Sequence, residues 1–246
     1  MEKCLVGLLA VAALCVAGCQ VTVVNGSGNV VTETRDVSGF TAVSIGCLGD
    51  AVLIQGSEEK VVVETDDNIM AHVVTEVRDG VLHLEVDREL GNANLKLTKG
   101  LKYTVYFKTL ERVAVAGEGE VACESLVTDE LEVAVSGAGT ISFGKLAARA
   151  LAIAVSGAGD IAVAGEVETQ SIAISGAGSY AAGDLRSEAA VIAISGTGDA
   201  RVWATGTLDA QISGTGSVSY YGEPKVTQSI SGVGSINALG MHGTSV

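Results

Sequence analysis

LAIAVSGAGDIAVAG, residues 151–165, decides how this chain is read. Leu151, Ile153 and Val155 alternate with small residues before the SGAG, and Ile161 and Val163 alternate after it. A period of two with β-branched residues describes strand, tight turn and strand rather than a helix. One such turn could be a ligand loop or a corner of the fold, and its spacing separates the two. The motif recurs as Ser136-Gly137-Ala138-Gly139, Ser156-Gly157-Ala158-Gly159, Ser175-Gly176-Ala177-Gly178, Ser195-Gly196-Thr197-Gly198, Ser213-Gly214-Thr215-Gly216 and Ser231-Gly232-Val233-Gly234. Successive serines are 20, 19, 20, 18 and 18 residues apart.

Each repeat has strand chemistry on both sides of the motif and a second glycine signal, as at Gly144, Gly165, Gly183, Gly206 and Gly222. A unit this short cannot enclose a core, so units must stack. The expected fold is all-β: a single-stranded parallel β-helix, or β-solenoid, with coils of 18–20 residues and Ser-Gly-x-Gly corners. The hand favoured by parallel crossovers makes a right-handed coil the expected one. Worn copies extend upstream to AGEG at 116–119 and IGCLGDAVLIQG at 45–56. The segment 57–110 is less regular, with a hairpin signal at Asp79-Gly80. Its pattern leaves open whether it covers an end of the stack or bulges from the side.

Composition narrows the function classes. The 246 residues carry a formal net charge of −14, which disfavours nucleic acid as a partner. Thirty-two glycines occur without a collagen period, and aromatics make up only 4%. At the N-terminus an apolar run ends in Val16-Ala17-Gly18-Cys19. The run has the length of a secretory h-region, and its last four residues resemble the lipobox of bacterial lipoproteins. Residues 1–18 are therefore expected to be a lipoprotein signal peptide, with Cys19 the lipidated residue. Residues 19–33 are expected to be a linker, 34–240 the β-helix and 241–246 a tail. Gln20, where an Asp would retain a lipoprotein at the inner membrane, makes the outer membrane the expected location. Beyond Cys4, Cys15 and Cys19, the remaining cysteines are Cys47 and Cys123, each in a strand-like run. Export permits a bridge between them, and burial as free thiols is the other reading.

RDVSGFTAVSIGCLGDAVLIQG, then VVVETDDNIMAHVVTEVRDGVLHLEV, then the SGxG ladder resemble the bacterial "putative auto-transporter adhesin, head GIN domain" family over about residues 34–240. The resemblance implies a β-helical, secreted or lipid-anchored envelope protein without an established activity, and it brings no catalytic residues.

The chemical readings of Ser-Gly-x-Gly are weak beside the structural one. Phosphate loops lead from a strand into a helix, whereas strand follows strand here. Calcium requires several carboxylates, yet only Asp160 and Asp199 follow the motif. Six equivalent serines have no neighbouring base to activate them. As corners, the two glycines would supply special backbone conformations or close approach between coils. The serine hydroxyls would bond a corner carbonyl or the next serine in the ladder. Neither metal nor cofactor is expected, because His72, His83 and His242 have no ligand spacing.

Two clusters invite a functional reading. Glu64, Asp66 and Asp67 could be the acids of a polysaccharide-cleaving β-helix, although a solvated turn accounts for them as well. Arg201, Trp203, Tyr220 and Tyr221 could form a sugar-stacking platform, or simply pack at a rim. The expected function is a surface-binding or structural envelope protein that contacts a membrane through its anchor and a glycan or protein through its body. An enzyme acting on polysaccharide is the alternative.

Overall fold

The computed structural model describes residues 23–46, 48–87, 89–90 and 93–243. The N-terminal part runs β1 (Val23–Asn25), β2 (Val30–Asp36), β3 (Ala42–Ile45), β4 (Asp50–Gln55), β5 (Lys60–Asp66), the one-turn helix α1 (Asp67–Met70), β6 (Val73–Arg78), β7 (Val81–Val86), β8 (Asn94–Lys96) and β9 (Lys102–Phe107). The repeats follow as β10 (Arg112–Val115), β11 (Glu118–Cys123), β12 (Leu126–Val127), β13 (Glu130–Val135), β14 (Ala138–Val155), β15 (Ala158–Ile174), β16 (Ala177–Ile194), β17 (Thr197–Ile212), β18 (Thr215–Tyr221), β19 (Lys225–Ile230) and β20 (Val233–Gly240).

These strands form a parallel β-solenoid of about six turns. The register shows how the repeat becomes a coil: Val135 lies over Val115, Val155 over Val135 and Ile174 over Val155, all before the corner. After the corner Ile141 lies over Val121 and Ile161 over Ile141. Each aliphatic position therefore becomes a column along the axis. The inward columns close one continuous core, in which Val133, Ile153, Ile172, Ile192 and Ala210 are all buried. Strand alternation leaves the intervening residues facing out.

The worn upstream copy takes its place in the stack. β3 pairs in parallel with β10, and β4 with β11, in the register of the later coils. The segment that follows reverses back over this first coil. β7 adds in parallel to the outer edge of β3, and β9 to the outer edge of β4. β5 then pairs antiparallel with β9 and β2 antiparallel with β5, while β6 closes a hairpin on β7. Segment 57–110 thus caps the N-terminal end.

The expected linker needs correction. From Val23 on it is part of the fold, since β1 pairs with β8 and β2 with β5. Its Val30-Val31 and the alternating polar residues that follow form an edge strand of the cap, which a polar composition concealed. Residues 1–22, including Cys19, lie outside the described residues, as do Cys47 and 244–246.

Candidate binding wall

Each Ser-Gly-x-Gly lies at the bend between the strand before the corner and the strand after it. The first glycines form a column of backbone contacts. A Cβ on Gly157 would stand 2.1 Å from the carbonyl oxygen of Gly137; on Gly176, Gly196, Gly214 and Gly232 it would meet the preceding coil's glycine oxygen at 1.9–2.0 Å. The cause is the hydrogen bond beside it: Ala158 N–H donates to Gly137 O at 2.9 Å, and Ala177 N–H to Gly157 O at 2.9 Å. Bringing those groups together leaves no space for a side chain. None of these glycines has a positive φ, so close approach, rather than a forbidden backbone conformation, sets the requirement. Among the second glycines, Gly178 and Gly216 are equally tight against Gly159 O and Gly198 O, at 2.1 and 1.8 Å. The serine side chains face outward; of the six, Ser175 Oγ donates to Val155 O at 3.4 Å.

Immediately after the corner the outward column is polar: Glu120, Thr140, Asp160, Ser179, Asp199, Ser217 and Ser235. Its aspartates bind the next coil. Asp160 Oδ1 accepts from Ser179 N–H at 3.1 Å and Ser179 Oγ at 2.5 Å, and Asp199 Oδ1 accepts from Ser217 N–H at 2.8 Å and Oγ at 2.5 Å. One carboxylate per two coils, already satisfied by its neighbour, is a strut between coils.

Two residues further along, the outward column is small and mostly apolar: Val52, Ala122, Ser142, Ala162 and Ala181, followed by Arg201. These residues floor an open trough of about 490 Å³ that reaches Glu124 and Asp184. Near Asp184 stands the aromatic cluster. His242 stacks on Trp203 with ring centres 4.2 Å apart and 6° between planes, while Tyr221 meets His242 edge-on. His242 Nε2 lies 3.0 Å from Asp184 Oδ1. The Trp203 face is thus covered by the chain's own tail, as expected of packing at a rim. On the wall before the corner, a second groove of about 690 Å³ runs from Asp79 across Glu111, Arg112, Glu130 and Glu132 to Arg149. Its cations are paired between coils, Arg112 with Glu132 at 2.5 Å and Arg149 with Glu130 at 2.8 Å.

Of the acids Glu64, Asp66 and Asp67, the two aspartates hold the cap, while Glu64 is a half-buried residue of β5 opposite Thr32. Asp66 is fully buried, not a solvated turn residue. Its carboxylate accepts the Thr98 hydroxyl at 2.6 Å, the Thr98 amide at 2.8 Å and the Gly28 amide at 3.0 Å, which hold its pKa below the ordinary range. A Cβ on Gly26 would stand 2.2 Å from that carboxylate. Asp67 takes the Ser27 hydroxyl and the Asn29 amide, which likewise lower its pKa. Residues 25–29 are thereby clasped onto the cap. Their partners are about 40 residues away in sequence, so spacing alone concealed the clasp.

Among the described residues one trio has metal-ligating donors together: His72, Asp87 and Glu89, within 4.8 Å of one another. Asp87 is engaged through one oxygen with His72 Nδ1 at 2.9 Å and through the other with the amides of Glu89 and Leu90. This is a hydrogen-bonded turn at the cap. Cys123 is a free, buried thiol whose pKa burial pushes up to about 11. A thiol so protonated is a poor nucleophile at neutral pH.

Inside the solenoid the sequence reading missed a polar chain. Tyr180 Oη donates to Gln170 Oε1 at 2.9 Å, Gln170 Nε2 to Ser187 Oγ at 2.8 Å, and Ser187 Oγ to Trp203 O at 2.9 Å. Tyr180, Gln170 and Ser187 are buried, and burial pushes the Tyr180 phenol far up. Gln170 takes an inward position that aliphatic residues hold in neighbouring coils; that break in pattern was the available signal.

The fold and its surface define a class: a β-solenoid capped at one end, with flat small-residue walls and carboxylates used to tie coils together. The chain belongs to the family described as "Putative auto-transporter adhesin, head GIN domain", whose model matches residues 39–224. A solved "putative adhesin" from Bacteroides fragilis is 28% identical, with a TM-score of 0.81, covering 88% of this chain and all of that one. A "putative lipid binding protein" from Parabacteroides distasonis is 24% identical with a TM-score of 0.69, covering 88% and 99%. A "putative adhesin" from Parabacteroides merdae is 22% identical with a TM-score of 0.67, covering 89% and 99%. Below 25% identity these last two speak to the fold alone. No curated protein matches the chain. No described helix is long and apolar enough to cross a membrane.

Proposed function

We propose that this protein is a lipid-anchored envelope protein that binds an extended ligand, a glycan chain or a peptide strand, along its post-corner wall. The observation that carries this reading is the trough floored by Val52, Ala122, Ser142, Ala162 and Ala181, bordered by the polar Asp160–Ser179–Asp199 column. Small side chains let an extended ligand lie flat, and the Oδ2 atoms of Asp160 and Asp199, whose Oδ1 atoms bond the next coil, stand beside them as acceptors. The Bacteroides fragilis relative, described as a putative adhesin, supports binding rather than catalysis. So does the engagement of Asp66, Asp67, Asp160 and Asp199 in contacts within the protein. Anchoring rests on Cys19 and its lipobox-like context. With β1 starting at Val23, the capped end would face the membrane.

The test is a glycan and protein binding screen with residues 20–246, which retain every described strand. Saturable binding is expected, weakened about tenfold by Ala162→Arg, a change confined to the outer wall. No saturable binding, or binding indifferent to Ala162→Arg, contradicts the reading. Turnover of a polysaccharide would replace it with the enzyme. Metabolic palmitate labelling of the full chain, expected to vanish in Cys19→Ala, checks the anchor.

A further inference from the structure

The two ends of the solenoid are treated differently by the sequence. At the N-terminal end the edge strands β2 and β6 carry Glu33, Arg35, Asp36, Glu76 and Arg78. Arg35 reaches across from β2 to the carbonyls of Met70, at 3.0 Å, and Val73. Charged edges of this kind resist further strand addition. At the other end β19 pairs only with β17 and β20 only with β18 among the described residues, so their outer backbone edges have no strand partner. Lys225 is the one charged side chain between residues 224 and 240.

This end is also apolar. The inward columns that bury Leu208, Ile212 and Val218 continue as Val226, Ile230 and Ile236, which have a packed coil on one side only. Ile230 is 43% exposed. The described part of the tail, through Gly243, does not cover them: after Gly240, at φ +86°, it turns back down the wall to place His242 on Trp203 beside Asp184.

We propose that this bare coil docks against the same coil of a second copy, end to end. The surface that matches an open coil in outline and hydrogen-bonding edge is another open coil. Charge favours this contact over any other between two copies. In a chain of net charge −14, wall-to-wall contact sets acidic surfaces together, whereas this end is nearly neutral. Because the opposite end is capped and charged, stacking cannot continue head to tail, and the contact closes as a symmetric dimer.

Sedimentation equilibrium of residues 20–246 tests the proposal. A reversible dimer is expected. Paired Ile230→Lys and Ile236→Lys substitutions, both on inward columns of the last coil, should raise its dissociation constant about a hundredfold, since like charges then face one another. The control Val127→Lys, at an exposed wall residue, should leave it unchanged. Equal thermal midpoints for all three proteins separate lost association from lost folding. A monomer throughout the accessible concentration range, a dimer indifferent to the paired substitution, or open-ended polymers would each overturn the proposal. So would a monomer that binds anionic vesicles or an extended peptide through this coil.

Discussion

Asp66 shows how much one side chain can organise. It gathers the hydroxyl and amide of Thr98 and the amide of Gly28, and so joins the N-terminal strand pair to the cap. Those bonds favour the ionised form, so its pKa in the folded protein lies below its unfolded value of about 3.9. Its contribution is therefore complete above that value and is lost as pH falls through the folded pKa. Asp67, lowered by the Ser27 hydroxyl and the Asn29 amide, acts in the same direction. Hydrogen exchange across 23–36 should accelerate below about pH 4 before exchange in the regular coils does. Asp66→Asn should show the fast exchange at neutral pH. Uniform acceleration of cap and coils would contradict the assignment.

Individual strands were the most readable part of the chain. Leu151, Ile153 and Val155 alternate strictly because one neighbouring coil lies above and one below, leaving only in and out to distinguish. The cap strands were harder to place. β5 is hydrophobic at successive positions, and its antiparallel partners β2 and β9 lie far away in sequence. Of the Tyr180–Gln170–Ser187 chain the sequence shows only the polar Gln170 in an aliphatic column, since its members meet only once the coils are stacked. Buried and fully connected, it should be costly to interrupt. Gln170→Leu leaves the Tyr180 hydroxyl without its acceptor and should destabilise by about 1–3 kcal/mol in urea titration. Tyr180→Phe with Gln170→Leu should recover part of that loss; a double variant less stable than either single one would argue against a shared network.

For the whole molecule, the repeat period made the stack legible, and the family resemblance followed the same residues. The order of the coils was not legible. Cap strands β7 and β9 lie outside the coil of β3 and β4 although they follow it in sequence, and only long-range pairing determines that. The trough was hidden too, because its floor is a column taken once from each coil. What runs through every regular coil is the first glycine of Ser-Gly-x-Gly, and this column permits the coils to approach. Thermal unfolding of Gly157→Val tests it most directly, with Gly56→Ala as control because nothing lies within 4 Å of a Cβ there. A Cβ at 157 would stand 2.1 Å from a backbone oxygen that cannot swing away. In a stack stabilised between nearest neighbours, that damage reaches both adjoining coils. Gly157→Val should lose about 3 kcal/mol or more and unfold at a clearly lower midpoint, with Gly56→Ala unchanged. A midpoint for Gly157→Val equal to that of the parent chain would contradict it.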